Sequence, residues 1–189
     1  MFNQILAFLL QTFLGLFVLA LLLRFWLQAL RAPLRNPMYT FIAALTDWIV
    51  VPARRVIPGL WRTDLSTLVL AWLAQVLLLL ALRALGAGEG TGAGLVQMLV
   101  LATFALVRLS LYILMFSVIA VVVLSWVAPH SPAAPILNSL TRPFLQPFRR
   151  RIPPIGNVDL SPLFLLVAIQ IGLFLLLWVE GGIVRGIPG

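Results

Sequence analysis

The sequence predicts an all-α membrane protein. Four transmembrane helices form two tandem, parallel helical hairpins, each with a basic loop that carries a short interfacial or re-entrant helix. Three observations predict it. The chain is 62% hydrophobic and only 10% charged, with mean hydropathy +1.12, whereas globular chains run at about 45–50% apolar and about 25% charged. Four apolar stretches approach the roughly 20 residues needed to cross about 30 Å of hydrocarbon. Finally, residues 45–68 and 140–163 align without a gap at a constant offset of 95 residues (141 − 46). Thr46, Pro52, Arg54, Arg55, Ile57, Pro58, Asp64, Leu65 and Ser66 find identical partners in Thr141, Pro147, Arg149, Arg150, Ile152, Pro153, Asp159, Leu160 and Ser161. A match at fixed period marks a duplicated structural unit.

In each copy a proline precedes an arginine pair, a second proline follows, and Asp-Leu-Ser opens a long apolar run. That order describes a chain that reaches a membrane surface, anchors there and turns into the bilayer. The expected repeats are residues 1–85 and 95–189, joined by a glycine-rich linker at 86–94, with spans at about 5–23, 65–82, 105–127 and 160–179.

Residues 5–23 are apolar except for Gln11 and Thr12, and Arg24 closes the run. The preceding Met-Phe-Asn-Gln lacks the basic side chain of a signal peptide, so a retained helix is expected. Residues 24–63 read as a long basic loop. Within it, 38–50 is helix-compatible but too short to span, which fits an interfacial or re-entrant helix. Asp64 precedes the second span and suits an N-cap. Residues 95–127 are long for one simple span. One long tilted helix, with Arg108 at the outer headgroups, is expected; the other reading is a span over 109–127 preceded by a helix on the outer surface. In the second basic loop Ile136, Leu137, Leu140, Phe144 and Phe148 recur at helical spacing, and Pro143 and Pro147 make that helix short or kinked. Asp159 and Pro162 suit the start of the last span.

All 13 basic residues are arginine, six of them in the first basic loop and four in the second. With four spans both loops lie on one side, which the positive-inside rule makes cytoplasmic. Both termini then face outward, across a bacterial inner membrane. The formal charge of +8 points to the anionic lipids of the cytoplasmic leaflet, and no nucleic acid is expected. The absence of cysteine removes disulfides and thiolate metal sites.

These pieces resemble the YggT (YlmG) family of small integral membrane proteins. The residues that carry the resemblance are Leu-Leu-Leu-Arg-Phe-Trp-Leu-Gln at 21–28, Asn36-Pro37, the stretch from Pro52 to Pro58, Leu124-Ser125-Trp126, the stretch from Pro147 to Pro153, and Asp159-Leu160-Ser161-Pro162. The resemblance implies a duplicated membrane hairpin. It also implies links to membrane-complex and cytochrome assembly, to cell division or nucleoid organisation, and to osmotic tolerance, with no agreed biochemical activity. Ser66-Thr67 stands where the second copy has Ser161-Pro162, so the halves are not equivalent.

Each candidate site has a structural reading beside the functional one. Arg54, Arg55, Arg149, Arg150 and Arg151 can be topology anchors that snorkel to phosphates, or a site for an anionic headgroup or an acidic partner segment. Asp64 and Asp159 can cap helices or pair with arginines of their own motif. The motif prolines Pro52, Pro58, Pro147 and Pro153 would fix the backbone around the arginines. Gln75 and Gln170 each lie 11 residues past their aspartate, near the midplane, and form a candidate intramembrane polar pair. They can bond between helices or line a polar pathway, although no ionisable residue is expected at depth in any span. Trp26, Trp48, Trp61, Trp126 and Trp178 read as an aromatic belt, and Trp72 as packing between helices. His130 stands alone in a loop, and no metal or cofactor is expected. No nucleophile–base set, carboxylate pair or phosphate loop is present in the sequence. The expected function is therefore a non-enzymatic inner-membrane scaffold or assembly factor, acting on anionic lipid, a membrane-protein partner or a second copy. The alternative is a small transport or osmotic-response component, perhaps an oligomeric pore, that uses Gln75 and Gln170.

Overall fold

A computed structural model describes the chain except residues 34, 56, 58–63, 88–93, 129, 153–158 and 187–189 and the side chain of residue 185. The described residues form six α-helices and no strand: α1 Phe2–Ala29, α2 Pro37–Ala53, α3 Leu65–Ala84, α4 Leu95–Val127, α5 Ala134–Arg151 and α6 Ser161–Gly186. Of these, α1, α3, α4 and α6 are long and apolar enough to cross a membrane. At 33 residues, α4 measures about 50 Å and runs through Arg108 as a single helix, as expected. With 17 residues, α2 reaches only about 26 Å.

Local chemistry sets the helix ends. Asn36 caps α2 by accepting the Met38 N–H at 2.9 Å, and Pro37 follows at the first helical position, where its missing N–H costs nothing. At the start of α4 the Gln97 side chain reaches back to the Gly94 N–H at 3.0 Å. Two helices close with the same pair of backbone bonds. After α1, Ala32 N–H reaches Leu27 O (2.8 Å) and Arg31 N–H reaches Gln28 O; after α3, Ala87 reaches Leu82 (2.9 Å) and Gly86 reaches Arg83. Both closures need a left-handed residue, Gly86 at φ 66° and Arg31 at φ 54°. Glycine adopts that conformation freely, and arginine at a cost of about 1–2 kcal/mol.

Helix neighbours run antiparallel. Val18, Leu21 and Leu22 of α1 share a buried cluster with Ala71 of α3, while Ala7 meets Leu78 and Leu82. Val76 and Leu79 of α3 pack on Met98 and Ala102 of α4, and Val118 of α4 lies among Leu165, Ile169 and Leu173 of α6. The two short helices sit at one end of this bundle. There Ile42 of α2 and Ile136 and Leu140 of α5 close over Leu27, near the end of α1. Large apolar side chains point outward along the long helices, including Phe8, Phe13, Phe116, Phe174 and Trp178. Such surface is stable facing acyl chains, not water.

Two expectations change. Residue 24 does not begin a loop: α1 continues through Arg24 to Ala29, with Arg24 buried against α2. Of the two forms expected for the second basic-loop helix, short or kinked, the first does not hold: α5 extends over 18 residues with Pro143 and Pro147 inside it. Each of those prolines removes one ladder bond, while Ile136, Leu140 and Leu145 are buried along the helix and hold it down.

Asn36 also ties the two halves together, since its Nδ2 donates to the Pro132 carbonyl at 2.6 Å. Replacing Asn36 with alanine should lower stability by about 1–2 kcal/mol, the scale of a lost cap plus a lost tertiary hydrogen bond. Asn36→Ser should restore the cap alone and about half of the loss. Equal unfolding midpoints for wild type and Asn36→Ala in detergent would refute the assignment.

Candidate functional site

The repeated arginine motifs build matching clamps at the starts of α3 and α6. Arg54 donates from Nε to Asp64 Oδ2 at 2.6 Å, with Nη2 at 2.5 Å from the same oxygen. Arg149, in the last turn of α5, donates from Nε to Asp159 Oδ2 at 2.8 Å. The second aspartate oxygen is also used. Asp64 Oδ1 accepts the Ser66 hydroxyl, and Asp159 Oδ1 accepts the Ser161 N–H at 2.9 Å. Arginine pairing therefore occurs in both motifs, and only Asp159 also takes a backbone N–H of its helix. Each short helix also carries a fully buried threonine eight residues before its clamp arginine. Thr46 bonds Ile42 O at 2.8 Å and Thr141 bonds Leu137 O at 2.9 Å.

One arginine of each run is thus tied to an aspartate, while remaining partly exposed, and the others are not. Arg55, Arg150 and Arg151 are exposed and make no ion pair among the described residues. Arg31, Arg35 and Arg142 are also exposed. Pro52 lies in the last turn of α2 and Pro147 inside α5; Pro58 and Pro153 lie outside the described residues. The clamp side chains are partly exposed, with 44% of Arg54 and 50% of Arg149 open to solvent. Such pairs contribute at most about 1 kcal/mol each. Their effect is geometric, because each fixes a short helix to the start of a span.

Asp159 titrates below the ordinary carboxylate value. Burial pushes its pKa up, but hydrogen bonds from Ser161 and Arg149 and the Arg149 charge outweigh that and hold it down. A depressed folded-state pKa contributes stability above the unfolded value of 3.8, and that stability is lost as pH falls through the folded value. Asp159→Asn should therefore flatten the stability–pH curve below about pH 4. An unchanged acid limb in the variant would exclude this linkage.

Arg24 is a site residue absent from the sequence expectations. It is 3% exposed, with Nη1 donating to Thr46 Oγ1 at 2.6 Å and to Ala43 O at 3.4 Å, and Nη2 lying 2.8 Å from Asp47 Oδ1. The only sequence signal was an acidic residue, Asp47, inside an apolar helix of a strongly basic loop.

Gln75 and Gln170 are not brought together. Gln170 is exposed and donates to Met115 Sδ at 3.4 Å. Gln75 lines a cleft with Gln11, Arg108 and Glu180, and Arg108 and Glu180 form an ion pair within the helices. Arg24 and Arg108, which the sequence placed at a span end and at the outer headgroups, are both ion-paired to residues of another helix. Trp26 is half-buried and donates to Ser110 of α4 at 3.0 Å, and Trp72 similarly reaches Thr103 at 3.1 Å. Trp48, Trp126 and Trp178 are exposed, and Trp61 lies outside the described residues. Among the described residues no three His, Cys, Asp or Glu side chains are grouped to hold a metal.

Four long apolar helices with lipid-type outer surfaces define a multi-pass α-helical membrane protein. The chain belongs to the CCB3/YggT family, whose model matches residues 3–85 and 100–179. It is 40% identical over 171 residues to an uncharacterized Pseudomonas aeruginosa protein, covering 89% of this chain and 86% of that one. A Vibrio alginolyticus protein described only by its place in the proC 3'region is 35% identical over 171 residues, covering 90% and 92%. The uncharacterized protein YggT of Escherichia coli is 30% identical over 168 residues, covering 88% and 86%. No solved structure matches.

Proposed function

We propose that this protein is a non-enzymatic scaffold or assembly factor of the bacterial inner membrane. Two tandem hairpins, α1–α3 and α4–α6, stand in the same orientation, with α2 and α5 on the cytoplasmic surface and both termini outside. The working surface is the arginine-rich face that α2 and α5 present. It engages anionic lipid headgroups, or an acidic segment of a membrane partner, through Arg55, Arg150 and Arg151, while Arg54 and Arg149 hold the backbone in place.

One observation carries this reading. The same arginine in each motif is tied to the same aspartate, Arg54 to Asp64 and Arg149 to Asp159, leaving its neighbours exposed. Charge near a helix end is enough for anchoring; a fixed clamp with outward guanidinium groups suits recognition of phosphate or carboxylate. The transport alternative needs its two glutamines on one path, and their separation weighs against it.

Lysine exchange tests the proposal. Arg55, Arg150 and Arg151 are changed to lysine together, insertion and abundance are verified, and bound anionic phospholipid is counted by native mass spectrometry after mild solubilisation. Lysine keeps charge but not the planar two-pronged donor. A clear loss of bound lipid and of complementation is expected, and full retention of both would reduce these residues to anchors. Outside-active reporters fused near residue 90 and at the C-terminus should be active, and those fused after Arg55 or Arg150 silent. The reverse pattern would overturn the orientation.

A further inference from the structure

Four polar side chains from four different helices meet between the middle of the bundle and the end away from α2 and α5. Gln11 of α1, Gln75 of α3, Arg108 of α4 and Glu180 of α6 line one cleft of about 270 Å³, walled otherwise by leucines of α3 and α4 and by Ala105. Glu180 lies 19 residues beyond the start of α6 (180 − 161), about 28 Å along the helix, so the cleft is remote from the arginine clamps. The Glu180 side chain is 10% exposed and that of Arg108 24%, and the contact between them, Nη1 to Oε2, is 3.3 Å.

Ionisable groups inside membrane helices are costly, and they mark functional sites when they face a cavity. Mutual neutralisation accounts for the pairing of Arg108 with Glu180. It accounts neither for the cleft beside them nor for the two amides that α1 and α3 bring to it. The charges in the cleft sum to zero but are separated. A lone anion there meets Glu180 and a lone cation meets Arg108, whereas a group carrying both charges a few ångströms apart satisfies both. The amides supply donors and acceptors for its remaining hydrogen bonds.

We propose that this cleft binds a compact zwitterion: a primary ammonium joined by a short carbon chain to a phosphate or carboxylate. Arg108 takes the anionic end, Glu180 takes the ammonium, and Gln11 and Gln75 complete the hydrogen bonding. Two sources share that chemistry, the headgroup of phosphatidylethanolamine and a free small amino acid or phosphoethanolamine. The site is separate from the arginine face and does not depend on the scaffold reading.

The test uses the full chain in phosphatidylcholine nanodiscs, whose quaternary ammonium has no N–H for Glu180. One arm replaces part of the lipid with phosphatidylethanolamine, and the other adds phosphoethanolamine or glycine to the buffer. A higher thermal midpoint is expected in at least one arm and absent in Glu180→Gln and Arg108→Gln. The lipid arm identifies a headgroup and the buffer arm a free solute. Because the chain has no cysteine, Ala105→Cys places a single reporter in the cleft with every polar partner intact, and it decides the matter if the charge variants do not fold. A small water-soluble thiol reagent should modify it, more slowly by the factor 1 + [L]/Kd when the stabilising ligand is present. No stabilisation in either arm, stabilisation that persists in both charge variants, or a cysteine that is unreactive or unprotected would each overturn the proposal.

Discussion

Asp47→Ala should destabilise the protein by about 3–5 kcal/mol, the scale for breaking a buried ion pair from one side, and should do more harm than removing Arg24 itself. The asymmetry follows from burial. The Arg24 side chain is 3% exposed and that of Asp47 49%. Without Asp47 a guanidinium stays sealed between α1 and α2 with only Thr46 Oγ1 and the Ala43 carbonyl as acceptors. Without Arg24 the carboxylate turns to solvent. Arg24→Leu should therefore cost less, and adding it to Asp47→Ala should recover much of the loss, since the stranded charge is gone. A double-mutant cycle on denaturation in mild detergent reads this directly. Additive losses, or Arg24→Leu as damaging as Asp47→Ala, would refute the account. Because this latch joins α2 to α1, protease sensitivity of residues 37–53 should rise in step with the stability loss.

The helix α5 depends on a different kind of contact. Leu145→Ala is expected to cost about 2–5 kcal/mol, because Leu145 is 1% exposed and packed with Val118 of α4 and Leu165, Ile169 and Leu173 of α6. Its counterpart Val50, equally buried, lies with Val18, Leu21 and Leu22 of α1 and Ala71 of α3. The smaller Val50→Ala should cost less, as fewer methyl groups leave the core. Amide hydrogen exchange should speed up across residues 134–151 in Leu145→Ala while α2 keeps its protection. Since α5 carries Arg142, Arg149, Arg150 and Arg151, retained anionic lipid should also fall although no arginine has been changed. Unaltered exchange in α5 would mean that Leu145 does not hold it.

Much of this arrangement was legible in the residues. The apolar stretches marked the four long helices, and residues 95–127 form the single helix that their unbroken pattern allowed. Helix limits were harder to read. An arginine that closes an apolar run reads as the end of a span, since such a side chain ordinarily snorkels to phosphate. Here Arg24 turns inward, and α1 runs on to Ala29. Equal sequence spacing also made Gln75 and Gln170 look alike, yet one faces a polar cleft and the other a thioether on the bundle surface. A constant offset places two residues at one height on equivalent helices but does not give them the same neighbours.

By itself, the sequence determined what depends on local chemistry and periodicity: which segments suit lipid, where Asn36 and Pro37 start a helix, and that the motif occurs twice. Tertiary structure decided what depends on neighbours distant in the chain. The aspartates are gripped by Arg54 and Arg149 across ten residues, and Arg24 finds Asp47 across 23 (47 − 24). Arg108 meets Glu180 across 72 residues. A charge in an apolar chain needs a partner, but which partner is fixed only when helices far apart in sequence pack side by side. The hydrocarbon of the bilayer supplies none, so for a charge away from the headgroups the packing decides.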